Sequence, residues 1–282
     1  MLNLMFITNN PDVAIIADEA GVEYIFIDME YIGKSERQKN MDTVQSHHTV
    51  SDIYKIKKVV KKSKILVRCN PIHNATKEYG SSSEEINAVL AAVPDMIMLP
   101  YFKTVDEVKE FIRIVDGRAK TMLLLETPEA VEKLDEILLL PGIDYIHIGL
   151  NDLSLGYKKH FMFDILADGT VDRICAKIKE KNIPFGFGGI ASLGHGIVPS
   201  EIIIKEHYRL GSSFAILSRS FCNVSNFNDY HVLEKTFKRE LKKIRHFEQQ
   251  VMQEDDLNYN KLDLKKAIRN GFVKVEGNEI SI

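Results

Sequence analysis

Short apolar runs alternate with amphipathic stretches along most of the chain. Residues 2–7 predict a strand, and Pro11–Ala20 places Val13, Ile15, Ile16 and Ala20 at helical spacing before Gly21 stops the helix. Tyr24–Asp28 predicts a second strand, which runs into the acidic cluster Asp28-Met29-Glu30. A polar stretch, 31–48, separates it from a helix over 51–62 and a strand over 65–68 that ends at Arg68. The pattern repeats as helix 83–92, strand Met96–Leu99 stopped by Pro100, helix Val105–Val115 and strand 121–125.

Glu126 follows that strand, and Thr127, Pro128 and Glu129 then supply a capping hydroxyl, a first-turn proline and an acid near the positive helix end. The predicted helix runs to about residue 140, where Pro141 and Gly142 close it. Residues 143–148 read as another buried strand, after which Gly149 opens a loop presenting Asn151 and Asp152. A helix over 172–181, a strand over 183–187, a glycine-rich turn at 186–189, a helix over 199–210 and the strand Phe214–Leu217 complete the series.

Eight short strands with helices between them predict a (β/α)8 TIM barrel in preference to an open doubly wound sheet. In such a barrel the strand ends open on one face, so Asp28, Glu30, Arg68, Glu126 and Asp152 converge there. A long helix over 229–253, with Val232, Leu233, Phe237, Leu241, Ile244 and Val251 at three- and four-residue intervals, has two readings: a subunit contact, which is preferred, or a cover for the barrel floor. The expected organisation is a catalytic barrel over 1–228, this helix over 229–254, and a small tail over 255–282. In the tail a helix over 261–269 ends at Gly271 and precedes a hairpin of Val273 and Val275, a Gly277-Asn278 turn, and Ile280 and Ile282.

Composition narrows the class. At 282 residues and 45% hydrophobic the chain can bury a large core and reads as globular and soluble. A net charge of -3 gives no reason to propose a nucleic-acid or anionic-membrane surface. The basic run over 55–64 interleaves with Ile53, Ile56, Val59 and Val60 at helical spacing and reads as a solvated helix face. Cys69, Cys175 and Cys222 lack the spacing of a zinc site or a disulfide framework, and a reducing, cytoplasmic setting is expected. The first apolar run is too short for a secretory core, and no run reaches the roughly 18 residues of a membrane helix.

Glu126 and Asp152 suit a hard divalent cation, which takes oxygen ligands and keeps waters beside one or two carboxylates. The alternative is a helix-opening glutamate and a turn aspartate. Arg68, closing an apolar strand, requires an anion, either a ligand carboxylate or a structural partner in Asp28 or Glu30. Gly188-Gly189 reads as an ordinary strand-to-helix turn rather than a phosphate cradle. His47, His48, His147 and His195 are candidate bases, each with an ordinary structural reading beside it.

Five segments in order resemble the HpcH/HpaI aldolase and citrate lyase β-subunit family: Gly21-Val-Glu-Tyr-Ile-Phe-Ile-Asp-Met-Glu30, Leu66-Val-Arg-Cys-Asn70, Asp95-Met-Ile-Met-Leu-Pro100, Leu125-Glu-Thr-Pro-Glu-Ala130 and Pro141-Gly-Ile-Asp-Tyr-Ile-His-Ile-Gly-Leu-Asn-Asp-Leu153. The likeness spans about 10–220, and its last two segments are the specific ones. It implies a phosphoenolpyruvate/pyruvate-type barrel that forms or cleaves a carbon–carbon bond beside an enolate. Glu126 and Asp152 would hold the metal, Mg²⁺ first and Mn²⁺ or Co²⁺ as alternatives, and Arg68 would face the substrate oxygen. Gly149, Leu150 and Asn151 would bind its carboxylate, and Asp28 and Glu30 would act beside them on the metal-bound waters.

Two departures matter. Tyr31 stands where members carry a histidine after the Asp-x-Glu segment, and Leu124 where they carry a glutamine. Proton transfer would then pass to a metal-bound water, Glu30, Tyr31 or His147. Lys34 and Arg37 read as contacts for the distal end of a substrate or as plain surface charges. The expected activity is a class II-type aldolase on a 2-keto acid, in a homo-oligomer. The alternatives are a citrate-lyase-like or malyl-type enzyme on an acyl-CoA, and a barrel that binds a carboxylate without turnover.

Overall fold

The computed structural model describes residues 1–34 and 46–278, with side chains to residue 270. Its strands are β1 (Asn3–Ile7), β2 (Tyr24–Asp28), β3 (Lys64–Arg68), β4 (Met96–Leu99), β5 (Lys120–Leu125), β6 (Tyr145–Ile148), β7 (Phe185–Ile190) and β8 (Phe214–Leu217). Each pairs in parallel with the next, and β8 returns to β1, closing an eight-stranded barrel. The helices are α1 (Pro11–Ala20), α2 (Val50–Lys57), α3 (Ser82–Ala91), α4 (Val105–Val115), α5 (Pro128–Glu132), α6 (Leu134–Ile137), α7 (Leu150–Gly156), α8 (Asp164–Ala167), α9 (Thr170–Glu180), α10 (Ser200–Leu210), α11 (Tyr230–Val251) and α12 (Asn260–Asn278). The (β/α)8 expectation therefore holds.

The period of two along each strand sorts side chains into two cores. Ile25, Ile27, Val67, Ile97, Leu123 and Ile146 face the helical ring. Met5, Phe26, Leu66, Met98, Met122, Leu124 and Phe214 fill the barrel. Continued upward, the inner rows become Tyr24-Phe26-Asp28, Leu66-Arg68, Leu124-Glu126 and Tyr145-His147-Gly149. The same alternation that packs the interior thus delivers the polar residues to the mouth.

At the opposite end, carboxylates finish the ladders. Glu23, Asp95 and Asp144 each directly precede a strand and accept a backbone N–H from its neighbour: Leu4 at 2.8 Å, Ile65 at 2.8 Å and Thr121 at 2.9 Å. Asp18 accepts from the N–H groups of Lys61, Lys62 and Ser63 at 3.0, 2.9 and 2.6 Å. That clamp turns the chain into β3, so α2 stops at Lys57 short of the predicted 62. The helix predicted to reach residue 140 is likewise broken, because Lys133 (φ -98°, ψ 9°) separates α5 from α6.

The long helix α11 follows β8 and lays its apolar stripe on this chain's own barrel. Phe237 packs edge-on against Phe6 and Phe221, with ring centroids 5.0 Å apart in both pairs. Farther along, Glu248 accepts from the Leu2 N–H at 2.7 Å and Arg245 donates to the Leu2 carbonyl at 2.8 Å. The tail departs from expectation: α12 stays helical through Asn278, so Val273 and Val275 form no hairpin strand, and Ile280 and Ile282 lie outside the described residues. Asn260 bonds the Ile202 carbonyl and Glu206, Lys261 pairs with Asp172 at 2.9 Å, and Leu264 and Ile268 are buried. A helix nucleated by those anchors adds residues at little further cost, and Gly271 alone does not stop it. Among the described residues no helix is long and apolar enough to cross a membrane.

Candidate active site at the barrel mouth

On the β2–β3 side of the mouth four charges meet. Arg68 grips Asp28 through two parallel bonds of 2.8 Å, from Nε and Nη2, and its Nη1 lies 3.3 Å from Glu30. Lys34 sits 3.0 Å from Asp28 and 3.4 Å from Glu30. Asp28 and Glu30 are almost fully buried, at 2% and 1% exposure. Burial alone would push the Asp28 carboxyl up, but Arg68 and then Lys34 overturn it and hold the group well below the usual carboxylate range. Burial would lower Arg68, yet Asp28 and Glu30 raise it instead. Of the two readings for Lys34 the surface charge is corrected: the residue is buried, its ammonium pairs with two buried acids, and it lines a mouth cavity of about 550 Å³. Arg37 lies outside the described residues.

Across the barrel, the β5 end sets Glu126. The Tyr101 N–H, on a residue held at φ 49°, donates to Glu126 Oε1 at 3.0 Å. Thr127 caps α5, accepting from the Ala130 N–H and donating to the Phe102 carbonyl. Gly149 closes β6 against this carboxylate: a Cβ there would lie 2.6 Å from Glu126 Oε2, so only glycine leaves the acid its place. Its N–H is committed to the Leu125 carbonyl at 3.0 Å. Asn151 and Asp152 stand in the first turn of α7, not in the predicted loop.

One cavity of about 410 Å³ brings Arg68, Glu126, Gly149, Leu150, Asn151 and Asp152 together. Asp28 and Glu30 stand behind Arg68 and do not line it. A second cavity of about 390 Å³ lies against Glu126 and Asp152 as well, with Tyr101, Lys103 and Glu129. Among the described residues no group of three or more His, Cys, Asp or Glu side chains forms an all-protein metal cage. Two carboxylates facing open space instead fit a hard cation that completes its octahedral shell with waters or substrate oxygens.

His147 lines the same cavity from inside β6. Its Nε2 is 3.1 Å from the Gly188 carbonyl. A carbonyl only accepts, so Nε2 carries the hydrogen and Nδ1 is left as an acceptor. Nδ1 is buried and has no hydrogen-bond partner among the described residues. Burial drives the imidazole down to about 4, keeping it neutral near pH 7. Of the other candidates, His48 Nδ1 accepts the Asp28 N–H at 3.0 Å, while His47 and His195 are exposed. Tyr31 is half exposed and packs on Tyr79 with centroids 6.1 Å apart.

The glycine turn is corrected as well, because β7 runs straight through it. A Cβ on Gly186 would lie 2.3 Å from the Phe214 carbonyl oxygen, so the glycines let β8 approach at a register shift. Sequence reasoning missed two features of the mouth. The Tyr101 N–H that orients Glu126 left no side-chain signal. The apolar wall, by contrast, was visible as the triplet Phe161-Met162-Phe163 after α7 and the pair Ile197-Val198 after β7.

Acidic and arginine strand ends gather around the mouth of a closed (β/α)8 barrel, the face where such barrels place their chemistry. The family model described as HpcH/HpaI aldolase/citrate lyase matches residues 3–183, and the chain belongs to that family. Its members are lyases acting on carbon–carbon bonds. Among solved structures, an HpcH/HpaI aldolase/citrate lyase family protein from Burkholderia cenocepacia J2315 superposes with a TM-score of 0.61 at 14% identity, covering 86% of this chain and 95% of that one. The HpcH/HpaI aldolase from Desulfitobacterium hafniense DCB-2 gives 0.58 at 16% identity, covering 86% and 93%. The citrate lyase beta subunit from M. tuberculosis, complexed with oxaloacetate and magnesium, gives 0.56 at 14% identity, covering 84% and 96%. At these identities the likeness concerns the fold. No curated protein matches the chain.

Proposed function

We propose that this chain is a divalent-metal-dependent lyase that forms or cleaves a carbon–carbon bond next to the enolate of a pyruvate-type 2-keto acid. The observation that carries the reading is the meeting of Arg68, Glu126 and Asp152 at one cavity. Glu126 and Asp152 would hold the ion, which supplies Lewis-acid charge to the keto oxygen when bound. Arg68, two strands away, adds positive charge, and its grip on Asp28 and Glu30 fixes the guanidinium before substrate arrives. Leu150 and Asn151, beside Gly149, would meet the carboxylate.

His147 takes the proton-transfer role in this reading. Its ring lines the cavity and its tautomer is set by Gly188, which leaves the buried Nδ1 as the acceptor, whereas Glu30 is held by two cations and Tyr31 is half exposed. The ion complexed in the M. tuberculosis citrate lyase beta subunit makes Mg²⁺ the first ion to test. Burial of Lys34 removes half of the basic entrance that an acyl-CoA would call for, which favours the keto acid. With Mg²⁺ or Mn²⁺ and pyruvate in D₂O, the protein should wash deuterium into the methyl group, as followed by proton NMR. No exchange with any divalent ion would refute the reading.

A further inference from the structure

We infer that the second reactant at this site is an aldehyde with an apolar aliphatic or aromatic side chain, not a hydroxylated, carboxylated or phosphorylated one. The inference rests on the lyase reading and adds the identity of the partner. The 410 Å³ cavity is far larger than a three-carbon acid fills, and its charged side chains are those of the proposed metal and enolate site. Beyond Arg68, Glu126 and Asp152 its wall carries no charged side chain among the described residues. The space is bounded instead by Leu150, Phe161, Phe163, Ile197, Val198 and Ile203.

Two segments build this wall. Phe161 and Phe163, after α7, pack edge to face with centroids 5.3 Å apart. Ile197 and Val198, after β7, line the cavity as well, and Ile197 holds 58% of its surface open. Three serines also line the wall: Ser200, whose hydroxyl is committed to the Ala191 carbonyl at 2.7 Å, and Ser218 and Ser220 just after β8. A phosphate or carboxylate tail would lose its hydration here with no cation to replace it, whereas an alkyl or aryl tail gains by leaving water.

A contrast on the same face supports the choice. On the far side of Arg68 lies a cavity of about 550 Å³ lined by Asn9, Asn10, His48, Arg219 and Ser225, the chemistry an acidic partner needs. Glu126 and Asp152 line the apolar cavity and not that one. The chemistry balances without a redox partner: pyruvate gives up a methyl proton, the resulting carbanion bonds to the aldehyde carbon, and the aldehyde oxygen takes a proton. The product is a 4-hydroxy-2-keto acid with an apolar tail, and cleavage is the reverse.

The test uses the full chain with Mg²⁺, pyruvate and four aldehydes: hexanal, benzaldehyde, glycolaldehyde and succinic semialdehyde. Hexanal and benzaldehyde should exceed the other two in kcat/KM by about tenfold or more. Ile197→Asp, at an exposed position that leaves the core intact, should lower kcat/KM for hexanal by about tenfold. Deuterium exchange into pyruvate separates the failures. If exchange is absent, the lyase reading falls. If exchange proceeds but succinic semialdehyde or glycolaldehyde is preferred, or Ile197→Asp leaves hexanal unchanged, only the apolar-partner proposal is overturned.

Discussion

The two ends of the barrel use the same side-chain chemistry for opposite purposes. At the floor Glu23, Asp95 and Asp144 each sit one residue ahead of an even-numbered strand and accept the second N–H of the odd-numbered strand before it. Their oxygens tie the sheet together, with Arg245 on Glu23 and Lys120 on Asp144 beside the backbone bonds, so the floor is a device for register. At the mouth the acids emerge from the inner rows, where the Tyr101 N–H reaches Glu126 and the Glu30 N–H reaches Asp28. Asp28 and Glu30 are then taken up by Arg68 and Lys34, while Glu126 and Asp152 face a cavity. What separates structural from chemical acids is therefore position, the former built into the sheet edge or an ion pair and the latter lining a cavity, not residue type.

The comparison breaks most sharply at Arg68. Arg68→Met strips the bidentate partner from a buried acid pair, and should cost about 3–5 kcal/mol in chemical denaturation while abolishing pyruvate exchange. Acid is the next test. His147 titrates in the folded chain near 4, against an ordinary 6.5. Between those values only the unfolded chain binds the proton, so the His147 contribution should hold above pH 6.5 and fall by on the order of 3 kcal/mol as pH drops to 4. Buried His207, pushed down to about 3, acts in the same direction. A denaturation midpoint that stays flat across this window would contradict the neutral, buried His147.

Smaller changes sharpen the contrast. Gly149→Ala drives a methyl into Glu126 and should lower exchange about 10²-fold through the displaced carboxylate, with the chain still folded by circular dichroism. Asp144→Ala, at the floor, should cost only ~1 kcal/mol and leave the exchange rate of the folded protein unchanged. Equal effects on exchange from these two substitutions would erase the distinction between the ends.

The alternation of strands and helices was legible because short buried strands and capped helices are local patterns, and the positions of Asp28, Arg68 and Glu126 at strand ends followed from it. What stayed hidden depends on tertiary partners, most of them distant in sequence. Gly186 through Gly189 read as a turn because nothing local announces that β8 will press a carbonyl against them. Lys34 sits in a polar stretch and read as surface, yet two acids draw it inside. Arg68 offered either a structural or a ligand-facing role, and it combines a structural ion pair with a place on the cavity wall. The tail read as a hairpin because Val273 and Val275 suit a strand, while the anchors that carry α12 onward lie at Asn260, Lys261, Leu264 and Ile268.

Manganese binding tests the central claim most directly, since the account makes Glu126 and Asp152 a metal pair. Titrating the protein into Mn²⁺ and following the free-ion signal by electron paramagnetic resonance should reveal one site per chain. Glu126→Gln and Asp152→Asn should each weaken it by at least ~10-fold, and Asp144→Asn at the floor should leave it intact. Undiminished Mn²⁺ binding in both mouth variants would contradict the account.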